Sequence, residues 1–272
     1  MSPPDTLSAS YAEVRARIAE AAARAGRSAG DILLVAVTKY AEPDQVRELV
    51  QLGHADFGES RVTQLLQRAA LIEEWLARQR VMPGAALARG SAPSGGAARP
   101  TIRWHMIGHL QRNKVKKALE AVRLVHSVDS LRLAEEIQTA AARREAPVDV
   151  LLQVNASGER SKFGCAIPAA LHLAEQIDTM VQVRLRGLMT MAPLSDNPEH
   201  ARATFARCRE VFEEIREAGI AAGHFDILSM GMSNDFQVAI EEGANLVRVG
   251  TAIFGEPRDG AGHDDEDDPE QD

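Results

Sequence analysis

The chain has 272 residues, of which 45% are hydrophobic and 26% charged, and these ordinary values exclude a protein that is disordered throughout. Its formal charge of −8 is concentrated in one place, because residues 259–272 include eight acidic residues and neither Lys nor Arg. The rest of the chain is formally neutral and has little attraction for phosphate backbones or acidic membrane surfaces. We therefore expect no nucleic-acid partner and no membrane partner.

The N-terminal residues and the cysteines indicate a cytoplasmic protein. Residues 1–5 lack the basic stretch followed by an apolar one that marks a secretory signal, and no apolar run approaches the ~20 residues that a membrane helix needs. Cys165 and Cys208 are too few for a disulfide framework, and neither belongs to a CxxC pair. We expect both thiols to be reduced and partly buried.

The first predicted element is an amphipathic helix that begins at Ser10. Ser10 is followed three residues later by Glu13, which is the spacing of a capping box, and apolar residues repeat at helical spacing from Val14 until Gly26. Residues 1–9 are therefore expected to be disordered, and the folded domain is expected to begin at residue 10.

Beyond this helix, short apolar runs alternate with helical patterns. The eight predicted strands are 32–37, 55–57, 102–107, 124–128, 148–154, 183–189, 225–229 and 246–249. The predicted helices between them are 43–52, 62–76, 113–121, 130–144, 168–177, 198–218 and 235–242. The strands are apolar along their whole length, which is typical of a parallel sheet that helices cover on both faces.

Eight such strand–helix units predict the α/β class and a single closed (β/α)8 TIM-type barrel rather than two smaller domains. The competing architecture is an open doubly wound sheet, which carries a Gly-rich phosphate turn after its first strand. Residues 37–40, VTKY, occupy that place here, so the barrel is favoured. It is predicted to span residues 10–255, with a flexible Ala-, Gly-, Pro- and Ser-rich insertion at 78–103 and a disordered acidic tail at 256–272.

In a barrel of this kind ligands bind where strands end and the following loops begin, and Lys39 stands at the end of the first strand. Its amine is expected at the rim of a low-dielectric core, where burial favours the neutral form. A lysine of that kind is the usual nucleophile for forming a Schiff base with an aldehyde. The alternative is a lysine that extends from the strand end to water.

Hydroxyls and backbone amides are expected to meet after the last two strands. Ser233 opens the helix after strand seven, and Gly250 and Thr251 follow strand eight. This part of a barrel often binds phosphate, and strand eight lies beside strand one, so a phosphate held here would be close to Lys39. The alternative is that Ser233 and Thr251 only cap helices.

Arg248 lies within the eighth strand, where a buried guanidinium is costly unless an acceptor faces it. Two kinds of partner are compatible with the residues alone. One is the ring nitrogen of a bound aromatic cofactor, and the other is a carboxylate, such as Glu59 or Asp129, in a structural ion pair.

The remaining candidate residues are histidines and methionines. His105 and His109 have the i, i+4 spacing of some zinc sites, but they lie on a strand and a turn rather than on a helix, so we expect no metal site. The methionines that either line a ligand pocket or fill the core are Met189, Met191, Met230 and Met232.

Several segments together resemble the pyridoxal phosphate homeostasis proteins. They are AVTK at 36–39, FGES at 57–60, WHMIGHLQRNK at 104–114, GLMTMAP at 187–193, LSMGMS at 228–233 and RVGTAIFG at 248–255. The resemblance extends over roughly residues 10–255, and the motifs together are highly specific. It implies a barrel like the N-terminal domain of alanine racemase, with pyridoxal 5′-phosphate bound at the C-terminal ends of the strands.

The same resemblance assigns roles to individual residues. Lys39 would be the Schiff-base lysine, and Arg248 would face the pyridine nitrogen of the cofactor. The residues that would hold its phosphate are Ser233, Gly250 and Thr251. Met189 and Ser60 are further candidate contacts; Ser60 stands where the family more often has Asn, so a contact made by that amide is expected to be weakened or lost.

The resemblance also implies a binding protein rather than an enzyme. Racemisation needs two positioned acid–base groups, one on each face of the substrate, and Lys39 can be only one of them. In alanine racemase the second is a tyrosine associated with an additional β-domain, whereas the tyrosines of this chain are Tyr11 and Tyr40 and none follows Gly255. An arginine at the pyridine nitrogen would also make the ring a poorer electron sink.

The leading hypothesis is a monomeric protein that binds pyridoxal 5′-phosphate reversibly, buffers its reactive aldehyde and delivers it to pyridoxal-phosphate-dependent apoenzymes, thereby maintaining vitamin B6 homeostasis without substantial catalysis. The alternative is a pyridoxal-phosphate-dependent amino-acid racemase that uses Tyr40 or a solvent-borne acid. A third, weaker hypothesis is an apo barrel that acts as an interaction scaffold.

Overall fold

The structure is a computed structural model that describes residues 6–81, 101–159 and 162–256. Residues 1–5, most of the predicted insertion at 78–103 and nearly all of the predicted acidic tail at 256–272 lie outside the described residues. Within the described ranges, strands and helices alternate as the apolar pattern predicts.

The described residues form nine strands, each parallel to the strands that it pairs with. They are β1 Leu33–Val37, β2 Asp56–Glu59, β3 Arg103–Met106, β4 Val122–Val128, β5 Val148–Asn155, β6 Cys165–Ala166, β7 Val183–Met189, β8 Ile227–Ser229 and β9 Leu246–Val249. The α-helices are α1 Leu7–Arg24, α2 Pro43–Gln51, α3 Val62–Val81, α4 Val115–Ala118, α5 Leu131–Ala140, α6 Ile167–Asp178, α7 Arg202–Glu217, α8 Phe236–Glu241 and α9 Thr251–Phe254.

Eight of these strands close into a barrel, in the order β1, β2, β3, β4, β5, β7, β8, β9 and back to β1. The short β6 pairs with β5 beside the barrel wall. At the closing pair, Val35 lies opposite Arg248 and Ala36 lies opposite Val249, so the C-terminal ends of β1 and β9 are side by side. The prediction of a single α/β (β/α)8 barrel is confirmed.

Alternation along the strands divides the apolar side chains into two groups, because successive residues point to opposite faces of the barrel wall. The outward-facing group packs against the helices and forms the main core, as Leu34 and Phe57 do. The inward-facing group is a separate cluster inside the barrel, formed by Val35, Leu124, Leu151, Met189 and Leu246. Burying one side chain of this size contributes about 1.5–3 kcal/mol, so both groups stabilise the fold.

The first helix begins earlier than the sequence pattern indicates. It starts at Leu7 with Thr6 as its N-cap, and the Thr6 hydroxyl accepts a hydrogen bond from the backbone N of Ala9 at 3.3 Å. The capping box predicted at Ser10 is therefore wrong: the Ser10 hydroxyl donates to the Thr6 carbonyl at 3.3 Å from inside the helix. Both residue types are good caps, and the structure selects the earlier one, so residues 7–9 are helical rather than disordered.

The insertion predicted at 78–103 overlaps a helix at its start and a strand at its end. Residues 78–81 continue α3, and Arg103 is the first residue of β3, where it pairs with Asp56 on β2. Only residues 82–100 of that segment remain outside the described residues. Across the described ranges, no helix is both long enough and apolar enough to cross a bilayer.

Candidate functional site

A cavity of about 730 Å³ opens at the C-terminal ends of the barrel strands. Its volume lies within the roughly 300–1,000 Å³ that is typical of small-molecule sites. Six of the seven residues selected from the sequence line it, namely Lys39, Ser60, Ser233, Arg248, Gly250 and Thr251. Apolar side chains, including Val37, Ile107 and Phe254, form much of the remaining wall.

Lys39 enters this cavity from the end of β1. Its side chain is half-buried, and its Nζ lies 4.8 Å from the ring centroid of Tyr40, so the amine lies at the cavity wall rather than in a fully dry core. The backbone just before it is anchored, because the Thr38 amide donates to the Gly58 carbonyl at 3.0 Å and the Thr38 hydroxyl donates to Glu59 at 2.5 Å. These bonds fix the point where Lys39 leaves the strand.

Ser233 joins the loop after β8 to the start of α9. Its Oγ accepts hydrogen bonds from the backbone amides of Gly250 at 3.1 Å and of Ala252 at 3.3 Å. The capping interaction that the sequence left as an alternative is thus present. A hydroxyl that accepts two bonds still has its own proton to donate, and a hydroxyl beside backbone amides at a helix start is the kind of arrangement that binds phosphate.

The guanidinium of Arg248 is buried at the floor of the cavity and makes hydrogen bonds to neutral groups. The side chain donates from Nη1 to the Ser229 hydroxyl at 2.5 Å and from Nη2 to the Thr190 carbonyl at 3.0 Å, and the residue is only 3% exposed. Burial lowers the pKa of Arg248 to about 10, although the charge of Asp235 opposes this effect. Arg248 is therefore still a cation at neutral pH.

Neither carboxylate proposed as a structural partner of Arg248 pairs with it. Glu59 instead forms an ion pair with Arg68 at 2.6 Å, and Asp129 lies 3.7 Å from His109. Burial raises the pKa of Glu59, while the Thr38 hydrogen bond and the Arg68 charge act against this. Glu59 and Asp129 are therefore not the ion-pair partners of Arg248.

Ser60 reaches the cavity because the loops after β2 and β3 approach each other closely. A Cβ atom on Gly108 would lie 2.3 Å from the Ser60 carbonyl oxygen, a distance that no side chain tolerates. Glycine at 108 therefore keeps the two loops together and the position of Ser60 at the cavity wall fixed.

Met189 does not line this cavity, contrary to the expectation from the sequence. It is 1% exposed and belongs to the apolar cluster inside the barrel. Met191, two residues further along, lines the cavity. Met191 packs against the same inward-facing cluster to which Met189 belongs, but of the two only Met191 borders the cavity.

Two lining residues, Gln153 and Phe163, were missed in the sequence. The rings of His109 and Phe163 stack at a centroid distance of 4.5 Å on the cavity wall, and Gln153 contributes from β5. Gln153 is a polar residue within an apolar strand, which is the same signal that singled out Arg248. Phe163 lies in a loop outside every predicted element, and nothing in the local pattern distinguishes it.

The two tyrosines lie in different parts of the barrel. Tyr11 is at the N-terminal end of the strands, where its hydroxyl is 3.2 Å from Nδ1 of His54, and it does not line the cavity. Tyr40 lines the cavity next to Lys39. Any tyrosine chemistry at this site therefore involves Tyr40.

The residues present fit pyridoxal 5′-phosphate. A primary amine can meet an aldehyde, a hydroxyl beside backbone amides can meet a phosphate, and a buried cation can meet an aromatic ring nitrogen. Lys39, Ser233 and Arg248 supply these three groups in one largely apolar cavity.

Fold and site together define a class, namely (β/α)8 barrels whose ligand cavity holds a lysine from the first strand. Residues 10–257 match the family model described as alanine racemase, N-terminal domain. The chain belongs to this family and, within it, to the pyridoxal phosphate homeostasis proteins.

Individual relatives support this membership. The pyridoxal phosphate homeostasis protein of Aquifex aeolicus is 37% identical over 241 residues, which cover 88% of this chain and 93% of that protein. A solved structure of PipY from Synechococcus elongatus PCC7942 with PLP bound has a TM-score of 0.65 and 31% identity, and covers 88% of this chain and 100% of PipY. A crystal structure of an unknown protein from Bifidobacterium adolescentis has a TM-score of 0.77 and 38% identity, and covers 91% of this chain and 94% of that protein.

Proposed function

We propose that this protein binds pyridoxal 5′-phosphate through a Schiff base to Lys39 and serves as a reversible carrier and buffer of the cofactor. In this role it maintains the cofactor level and passes the cofactor to dependent apoenzymes, acting as a cytoplasmic monomer without substantial catalysis. The observation that carries the proposal is the convergence of Lys39, Ser233 and Arg248 on one cavity. The names of the relatives and the PLP in the PipY structure support it.

Each residue has a separate task in this proposal. Lys39 would hold the cofactor covalently: its neutral amine would give up two hydrogens and form a C=N bond with the aldehyde carbon, whose oxygen would leave with them as water. Ser233 would donate its hydroxyl proton to the phosphate, which would also contact Gly250 and Thr251 at the start of α9. Arg248 holds a cation against the ring nitrogen and keeps that nitrogen unprotonated.

The same residues support a carrier over an enzyme. An unprotonated ring nitrogen makes the cofactor a weak electron sink, so a carbanion next to it is poorly stabilised. Tyr40 and Lys39 are consecutive, and Lys39 Nζ lies 4.8 Å from the Tyr40 ring centroid, so the two groups are neighbours on one stretch of the cavity wall. A racemase needs its two acid–base groups on opposite faces of the substrate.

Titration with pyridoxal phosphate tests the proposal. We expect the wild-type protein to develop an absorbance band near the visible edge and Lys39→Ala to lose it. Lys162→Ala is the matched control, because Lys162 is also at this end of the barrel but donates to the Ala192 carbonyl at 2.9 Å and does not line the cavity. An unchanged band in Lys39→Ala would contradict the assignment.

The phosphate contact is tested by Ser233→Ala. This variant removes the hydroxyl that accepts hydrogen bonds from the amides of Gly250 and Ala252. It also removes the proposed bond from this hydroxyl to the charged phosphate, and a hydrogen bond to a charged group contributes about 1.5–3 kcal/mol. We expect the dissociation constant for pyridoxal phosphate to rise about tenfold or more. The affinity for pyridoxal, which has no phosphate, should change little, and an equal loss for both ligands would contradict a phosphate role.

One observation favours the racemase alternative, namely that Tyr40 lines the cavity beside Lys39. Incubating the loaded protein with single enantiomers of alanine and serine separates the two functions. The carrier proposal predicts no turnover at rates of about 1 s⁻¹ or above. Turnover at that level that disappears in Tyr40→Phe would replace it with the racemase.

A further inference from the structure

A chain of buried hydrogen bonds runs through the barrel interior from Arg248 toward the opposite end. Ser229, which accepts from Arg248, has its Oγ 3.1 Å from Nδ1 of His126. Nε2 of His126 lies 3.0 Å from Nδ1 of His105, and Nε2 of His105 lies 3.1 Å from Oδ1 of Asp56. All five residues are at most 4% exposed, and each comes from a different strand.

This chain crosses an otherwise apolar interior. The inward-facing cluster of Val35, Leu124, Leu151, Met189 and Leu246 occupies the same interior, where an imidazole without a hydrogen-bond partner would be costly. The polar side chains of the chain are tolerated here because each one forms a hydrogen bond with the next. Asp56 ends the chain near the N-terminal mouth of the barrel, where Arg103 donates to its two carboxylate oxygens at 2.7 and 2.5 Å.

The donors in this chain can be assigned from its two ends. Arg248 has only donors, so Ser229 must accept from it, and Asp56 as a carboxylate can only accept. With both imidazoles neutral, His105 donates from Nε2 to Asp56 and accepts at Nδ1 from His126, which in turn accepts at Nδ1 from the Ser229 hydroxyl. Every bond then points from Arg248 toward Asp56.

The surrounding charges agree with this assignment. Burial lowers the pKa of His126 well below its usual value, and the positive charge of Arg248 acts in the same direction, so the ring is neutral. Burial alone would raise the pKa of Asp56, but the hydrogen bonds from His105 and Arg103 outweigh it and bring the pKa to about 2. Asp56 is thus a carboxylate at neutral pH.

We propose that Asp56, His105, His126 and Ser229 are positioning residues for Arg248, because their aligned hydrogen bonds orient its guanidinium and couple it to the negative charge of Asp56. Hydrogen bonds in series polarise one another, so the Asp56 charge strengthens the bond at Ser229. Arg248 is thereby held as a fixed cation against the cofactor ring nitrogen. The ring-nitrogen part of this inference rests on the proposed function.

The first test uses the unloaded protein, so it does not depend on the cofactor. Nitrogen-15 NMR of the histidine side chains should show His105 and His126 both neutral and both protonated at Nε2. In Ser229→Ala the Nδ1 signal of His126 should shift, because its donor is gone. A wild-type His126 that is protonated at Nδ1, or charged, would overturn the proposal.

The second test uses pyridoxal phosphate labelled with nitrogen-15 in its ring. Asp56→Asn should shift the ring-nitrogen signal and weaken binding about fivefold or more, since it removes the charge at the end of the chain. Asp149→Asn is the matched control: Asp149 is 3% exposed near the same mouth of the barrel, but the partners it has among the described residues are the arginines 123, 184 and 186. The control should leave the signal unchanged.

The outcomes of these tests separate the positioning role of the hydrogen-bond chain from the proposed function of cofactor binding. A cofactor that binds with the same ring-nitrogen signal in Asp56→Asn and in wild type overturns the positioning role and leaves the proposed function intact. A wild-type protein that forms no adduct with the cofactor contradicts the proposed function, and the histidine signals of the unloaded protein still decide the alignment. Should Asp56→Asn fail to fold, Ser229→Ala provides the same ring-nitrogen comparison.

Discussion

Replacing Asp56 with asparagine is expected to remove an acid-sensitive part of the stability of the barrel. Asp56 is 4% exposed and bonded to both Arg103 and His105. Burial acts to raise the pKa of Asp56, but these hydrogen bonds outweigh it and lower the pKa from 3.8 to about 2. A difference of about 1.8 units corresponds to about 2.4 kcal/mol of unfolding free energy.

The sign of the pH dependence follows from the lowered pKa. The contribution of Asp56 is fully present above the unfolded-state pKa and is lost as the pH falls through the folded-state value, so the window lies between about pH 4 and pH 2. About 2.4 kcal/mol is present at pH 5 and about 1.3 kcal/mol remains at pH 3. The stability difference between wild type and Asp56→Asn should therefore shrink by about 1 kcal/mol over that interval.

Urea unfolding at pH 5 and at pH 3, followed by circular dichroism, measures this difference. The control is Asp44→Asn: Asp44 pairs with Arg47 at 2.8 Å, but its side chain is 90% exposed, so this variant should cost less than about 1 kcal/mol. If the difference in unfolding free energy between wild type and Asp56→Asn stays constant or grows as the pH falls, the lowered pKa of Asp56 is not the source of the acid-sensitive stability.

Two further predictions concern packing and thiol reactivity. Gly108→Ala should destabilise the protein by about 2 kcal/mol or more and weaken pyridoxal phosphate binding, because the new Cβ would lie 2.3 Å from the Ser60 carbonyl oxygen. Gly30→Ala is the control, since its Cβ would meet only the Ser28 hydroxyl, at 3.5 Å, and equal unfolding midpoints for the two variants would contradict the argument. Burial raises the pKa of Cys165 and of Cys208 to about 12, so neither thiol should react with a disulfide reagent at pH 8 until the protein unfolds. Rapid labelling of the native protein would contradict this.

The barrel could be predicted because its strand signal is local. Each predicted strand was recognised from a short apolar run, and all eight predicted runs coincide with barrel strands. The start of the first helix was less certain, since Thr6 and Ser10 are both suitable caps and only packing selects between them. Nothing in the sequence distinguishes Met189, which is buried in the inward-facing cluster, from Met191, which borders the cavity.

The residues of the site also fall into those that could be predicted from the sequence and those that could not. Lys39 and Arg248 could be recognised because a charged residue at or inside an apolar strand is a strong local signal. His126 is likewise a polar residue within the apolar strand β4. Its role depends on its hydrogen-bond partners Ser229 and His105, which are 103 and 21 residues away in sequence. Hydrogen-bond partners on different strands are set by barrel register, which the sequence pattern does not contain.

Mass spectrometry after borohydride reduction shows whether Lys39 forms the Schiff base with pyridoxal phosphate. The protein is loaded with pyridoxal phosphate, reduced, digested and mapped peptide by peptide. We expect the mass of one reduced cofactor on the peptide that contains Lys39 and none on the peptide that contains Lys162. A cofactor mass on another lysine, with Lys39 unmodified, would contradict this expectation.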